Sequence, residues 1–136
     1  MEIVLDTCAI IAVIADEPEG NEVVEYTKDC IIISPNVLPF EIANSISRMI
    51  RKGIVDNIKM IELIRSFQQI PIKLVENNLE NVLKIAFEYK IYAYDAFFLE
   101  TARKLNLPLL TFDVGMKNIA KEIGISLIGE DKNVGI

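Results

Sequence analysis

The sequence predicts an α/β domain: a central, mainly parallel sheet of about five strands with helices on both faces. Two observations carry this. Short apolar runs alternate with longer amphipathic stretches along the whole chain, the order expected of strand–helix–strand units. Within the runs, apolar residues are continuous rather than alternating, as in strands buried on both faces. The length of 136 residues suits one hydrophobic core.

The first strand is Ile3-Val4-Leu5, ending at Asp6, and an apolar helix over Ala9–Ala15 follows. Asp16-Glu17-Pro18-Glu19-Gly20 breaks it, and an amphipathic helix runs to about Lys28. Ile31-Ile32-Ile33 is a second buried strand, closed by Ser34-Pro35. A longer helix begins near Leu38 and stops at Gly53, a natural C-cap. Asp56 caps the next helix, to about Gln69, and Asn77 or Asn78 caps another after the strand Ile72–Val75. Asp95 opens a helix with Ala96, Leu99 and Ala102 at helical spacing, which Asn106 and Pro108 end. Leu109-Leu110 then reads as a strand, residues 114–123 as a short helix and Ser126-Leu127-Ile128 as the last strand. The domain covers residues 1–129, with a loose tail over 130–136.

Composition narrows the chemistry. The chain has no histidine, so Ser-His-Asp, Cys-His and histidine-metal sites are excluded. No apolar run approaches the ~18 residues of a membrane span, and the start MEIVLD carries acid where a signal peptide is basic. The expectation is a soluble, cytoplasmic chain with no membrane partner. Cys8 and Cys30 are the only cysteines, far from CxxC spacing and beside apolar residues, so both read as reduced core thiols. The net charge is −6 and unevenly spread. Residues 1–30 hold eight acids against Lys28, whereas residues 48–73 hold six bases against Asp56 and Glu62. A solvated helical face is the ordinary meaning of such a basic run; a surface for a phosphodiester backbone is the other.

In a helix-covered parallel sheet, pockets form beyond the carboxyl ends of the strands. Asp6 and Asp113 follow apolar strands, Asp95 stands at a helix start, and Glu41 lies in the first turns of the helix after the second strand. Singly, each has an ordinary structural meaning as a strand-end acid, a cap or a solvated acid. Together on one rim they would repel and some would take up protons, unless a hard divalent cation, Mg²⁺ or Mn²⁺, resolves the repulsion. One cation or two would suit phosphodiester hydrolysis. Glu41, Asn44, Arg48 and Arg51 share a helix face, so an amide and two guanidiniums lead outward from the acids. Thr111 can aim its hydroxyl into the same pocket, and Thr7 either joins it or caps the first helix.

The segments LDTCAIIAVI from Leu5, SPNVLPFEIANSISR from Ser34 and YDAFFLETARKLNLPLLTFD from Tyr94 resemble the PIN-domain ribonucleases, particularly the VapC-type toxins of toxin–antitoxin pairs. The resemblance spans essentially the whole chain and implies a single PIN-like domain. By position it makes Asp6, Glu41, Asp95 and Asp113 the acidic quartet, Thr111 the hydroxyl residue two before the last acid, and Asn44 a polar neighbour. It further implies Mg²⁺- or Mn²⁺-dependent RNA cleavage, a homodimer and an antitoxin partner. Cys8 departs from the Asn or Ser that many relatives carry after Asp-Thr.

Other small acidic α/β domains fit less well. A phosphoacceptor receiver domain needs paired acids after the first strand and a late Lys; a haloacid-dehalogenase-type phosphatase needs Asp-x-Asp, which Asp6-Thr7-Cys8 is not. A catalytically silent scaffold of the same fold, binding RNA or protein, is the remaining alternative. The apolar helix Ala9–Ala15 and the Ile-rich helices lead us to expect enough exposed apolar surface for a two-fold dimer.

Overall fold

In a computed structural model that describes residues 1–130, four parallel strands form the sheet, in the order β3-β2-β1-β4. These are β1 (Glu2–Leu5), β2 (Ile31–Pro35), β3 (Ile72–Val75) and β4 (Leu109–Leu110). Successive side chains of a strand point to opposite faces. Ile3, Val4 and Leu5 are nevertheless all buried, so helices cover both faces of the sheet. The helices are α1 (Thr7–Ile14), α2 (Gly20–Thr27), α3 (Leu38–Arg51), α4 (Asn57–Gln68), α5 (Leu79–Tyr89), α6 (Ala93–Leu105) and α7 (Val114–Glu122).

The expected fifth strand is reduced to one bridge. Leu109 donates to Ser126 O at 2.9 Å and accepts from the Ile128 N–H at 3.0 Å, and Leu127 pairs with Leu109 in parallel. Its partner β4 is two residues long, too short to support a longer ladder. Glu130 forms an ion pair with Lys117 at 3.1 Å; the rest of the expected loose tail, residues 131–136, lies outside the described residues.

Strand order places the site. The chain winds from β1 outward to β2 and β3, then returns to lay β4 on the other side of β1. The order therefore reverses at β1, and the crevice belongs beyond the carboxyl ends of β1 and β4. Asp6 leaves the first of these ends; Thr111, Phe112 and Asp113 leave the second.

Several helix boundaries follow from caps visible in the sequence. Asp56 accepts from the Lys59 N–H at 2.8 Å and Asn78 from the Asn81 N–H at 3.0 Å. Asn106 ends α6 in the left-handed conformation, φ 55°. Two starts differ from expectation. Helix α1 begins at Thr7, two residues early, because the Asp6 side chain accepts from the Ala9 N–H at 2.9 Å. Helix α6 begins at Ala93, so Asp95 is its third residue and not its cap.

Helix α1 also corrects the surface reading. Ala9, Ile10, Ile11 and Ala12 are buried; a helix apolar on every side belongs inside. Helix α2 seats against it at Gly20, where a Cβ would stand 2.5 Å from the Ala12 carbonyl oxygen.

Candidate active site

Asp6, Glu41, Asp95 and Asp113 line one cavity of about 450 Å³ beyond the carboxyl ends of β1 and β4. Two are aimed as helix caps and two from first helical turns. Asp6 is the N-cap of α1, so one carboxylate oxygen is fixed by the Ala9 N–H. Its other oxygen accepts from the Thr111 hydroxyl. Thr111 in turn accepts from the Asp113 N–H at 3.1 Å, and Asp113 caps α7 by accepting from the Met116 N–H at 3.0 Å. A chain of hydrogen bonds thus ties the carboxyl end of β1 to that of β4. Glu41, in the first turn of α3, accepts from the Thr7 hydroxyl at 3.1 Å. Thr7 therefore orients Glu41 and leaves the capping of α1 to Asp6. Asp95 reaches the cavity from the first turn of α6.

The acids feel one another. Asp6 is 4% exposed. Burial pushes its carboxyl up to about 6 from the ordinary 3.8, the Thr111 and Ala9 hydrogen bonds hold it down, and Asp113 and Asp95 push it up again. Asp95 is also raised, first by burial and then by Asp113 and Glu41. Hydrogen bonds from Thr111 and Ala9 partly offset the strain on Asp6, but like charge around it remains.

Cys8 is not the core thiol expected of it. With α1 starting at Thr7, residue 8 falls on the first turn, open to solvent and on the cavity wall. Partial loss of hydration against the cavity wall, and then the negative charge of Asp6, Asp113, Asp95 and Glu41, push the thiol up to about 11. It is held protonated and is a poor nucleophile at neutral pH.

Of the helix face that leads outward, Asn44 and Arg48 line the cavity and Arg51 does not. Arg51 stands ten residues beyond Glu41, about 15 Å along the helix axis. The Arg48 guanidinium donates to Ser45 Oγ at 3.3 Å. Sequence reasoning passed over Ser45, Tyr92, Tyr94, Phe98 and Met116, which also line the cavity. Tyr94 had a signal in its position next to Asp95; Phe98 follows Asp95 by three, on the same side of α6. Ser45 and Met116 carry no comparable mark.

The donor set offered to a ligand is carboxylate and amide oxygen. Glu41 and Asp113 each engage one carboxylate oxygen in the bonds above and leave the other free. Among the described residues no three acids or thiols form a ready-made ion cage. Oxygen donors around a cavity open to solvent suit a cation that keeps part of its hydration shell, as Mg²⁺ does.

Three comparisons bear on this arrangement. The family model for the PIN domain matches residues 3–122. No curated protein sequence matches the chain. Among solved structures, PAE2754 from Pyrobaculum aerophilum superposes with a TM-score of 0.71 at 22% identity, covering 94% of this chain and 91% of that one. VapBC2 from Rickettsia felis, solved bound to a DNA fragment from its promoter, gives 0.65 at 16% identity over 93% and 97%. FitAcB from Neisseria gonorrhoeae gives 0.58 at 18% over 92% and 95%. At these identities the structural likeness is one of fold.

Proposed function

The chain belongs to the PIN-domain family, and from that premise we propose that it is a divalent-metal-dependent endoribonuclease, the toxin of a VapC-type toxin–antitoxin pair. The observation that carries the reading is the convergence of Asp6, Glu41, Asp95 and Asp113 on one cavity at the point where strand order reverses.

In this reading the four carboxylates hold Mg²⁺ or Mn²⁺. Their oxygen donors fit either ion, and neither histidine nor an ionised thiol competes. When bound, the cation polarises a phosphoryl oxygen, neutralises charge and makes water a better nucleophile. The protein's own contribution is orientation. The backbone at Ala9 and Met116 and the hydroxyls of Thr7 and Thr111 fix Asp6, Asp113 and Glu41 before substrate arrives, so little reorganisation is left for the reaction. Arg48 supplies the positive charge of the cavity wall, suited to a phosphate oxygen. Arg51 continues that path along α3, and Asn44 offers an amide beside the acids.

The reading extends to partners. Exposed apolar side chains gather on α3 and α4 (Phe40, Ile50, Ile58) and on α5 (Leu79, Leu83, Phe87). Faces of this kind fit a two-fold homodimer and an antitoxin peptide; the likeness to VapBC2 supports the second. Among the described residues no helix is long and apolar enough to cross a membrane, in keeping with a cytoplasmic protein that meets RNA.

A silent scaffold that binds RNA or protein is the second reading, favoured by the lack of a ready-made ion cage. Incubating the protein with structured cellular RNA, with Mn²⁺ and with excess chelator, separates the two. The nuclease reading expects cleavage that the chelator abolishes; intact RNA at micromolar enzyme and millimolar Mn²⁺ supports the scaffold.

A further inference from the structure

We propose that Tyr92 and Tyr94 form a base-stacking platform beside the carboxylates, on which a base next to the scissile phosphate is seated. The inference rests on the nuclease reading and deepens it by naming the side chains that seat the substrate.

Both rings line the cavity that holds the four acids. Tyr92 is the N-cap residue of α6 and Tyr94 its second residue, directly before Asp95. The backbone that aims the Asp95 carboxylate therefore roots both side chains beside it. Tyr92 is 86% exposed and Tyr94 45%, so both rings stand at the open rim. Neither hydroxyl makes a hydrogen bond with the described residues, and the Tyr92 side chain caps nothing. Leaving two aromatic rings in water beside a polar cleft forgoes the burial that usually holds such residues inside. Their faces are free for a ligand.

Charge says what kind of ligand. Four carboxylates face the interior and Arg48 is the one basic side chain lining the cavity among the described residues. A polyanion held by phosphate contacts alone would bind poorly here, so affinity needs a source that does not depend on charge. Stacking of a base on an aromatic ring provides it and tolerates any base, since every base has a π-face. Duplex RNA hides those faces in its own stack, whereas unpaired nucleotides can splay a base onto a ring.

The test is binding as well as turnover. The chain has 4 tyrosines and no tryptophan, so a base analogue in the ligand gives a clean signal. The probe is a hexanucleotide of uridines with one 2-aminopurine, titrated with full-length protein in chelator. Quenching on binding is expected, with the single strand preferred to a blunt duplex. Tyr92→Ala with Tyr94→Ala should weaken single-strand binding about tenfold or more and remove the quench. Tyr→Phe at both positions should keep both. With Mn²⁺ present, the Ala pair should raise KM on single-stranded RNA by a similar factor and leave kcat within about twofold. Unchanged affinity and quench in the Ala pair would overturn the platform, as would equal binding of duplex and single strand. The two readings fail separately. A protein that quenches the probe yet never cleaves RNA with Mn²⁺ retains the platform and loses the nuclease. A nuclease indifferent to the tyrosines loses only the platform.

Discussion

Replacing Asp6 by Asn should make the metal-free protein more stable at neutral pH, and the size of the gain can be worked out. Asp6 is buried and its carboxyl sits at about 6 against an ordinary 3.8. Between those values the folded protein binds more protons than the unfolded chain, so stability falls as pH rises from about 4 to about 6 and the penalty is complete above pH 7. At about 1.4 kcal/mol per unit, the ionised carboxylate costs the fold about 3 kcal/mol at pH 7. Asn keeps the shape and caps a helix nearly as well, so the bond from the Ala9 N–H survives. It loses the acceptor that the Thr111 hydroxyl uses, worth about 1 kcal/mol. The net expectation is a gain of about 1–2 kcal/mol at pH 7 that shrinks to zero or reverses by pH 4–5, where wild-type Asp6 is itself protonated. Urea denaturation of both proteins in chelator, at intervals from pH 4.5 to 7.5, measures this. Carboxylates outside the cavity are common to both and cancel in the difference, whereas Asp113 and Asp95, which repel Asp6, are relieved by the substitution and contribute to the gain. An Asp6→Asn protein less stable than wild type at pH 7, or a difference flat with pH, would refute the electrostatic account of the site.

Three further outcomes follow from the same structure. Millimolar Mn²⁺ should raise the melting temperature of the wild type by several degrees, since a ligand at ~100 times its Kd adds roughly 2.7 kcal/mol; a melt insensitive to Mn²⁺ speaks against a cation among the acids. Arg48→Ala should weaken RNA binding and flatten its salt dependence more than Arg51→Ala, because only Arg48 lines the cavity; equal slopes in both variants and the wild type would make these ordinary surface arginines. Gly20→Ala should cost about 1–3 kcal/mol in denaturation, because the new Cβ meets the backbone of α1 at 2.5 Å; an unchanged midpoint would mean that α2 shifts freely.

Which parts of this were legible in the sequence depends on what each residue's local signal could say. Strand ends were legible because continuous apolar runs stop sharply at Asp6 and Thr111. Topology then brought Asp6, Glu41, Asp95 and Asp113 to one rim. Caps with a side-chain acceptor, such as Asp56 and Asn78, marked their helices. The start of α6 was not marked, because Tyr92 caps with no side-chain bond and Asp95 looked like the obvious cap. Cys8 was misplaced by the same kind of shift: the Asp6 cap starts α1 two residues early and turns residue 8 toward the cleft. Apolar content alone could not tell that α1 is buried on nearly every side. The last strand was legible as a segment, but its ladder depended on the two-residue length of β4. The roles of Thr7 and Thr111 needed geometry, since a hydroxyl in either place could cap, orient an acid or face solvent.

The most direct test of the central claim is RNA cleavage by the Asp95→Asn variant in Mn²⁺, measured beside its metal-free stability. Asp95 is the third residue of α6 and not its cap, so Asn should leave the fold intact. If Asp95 helps hold the cation, the variant melts at or slightly above the wild-type temperature in chelator, gains less from Mn²⁺, and loses cleavage by two orders of magnitude or more. Wild-type cleavage with wild-type metal dependence in Asp95→Asn would contradict the account.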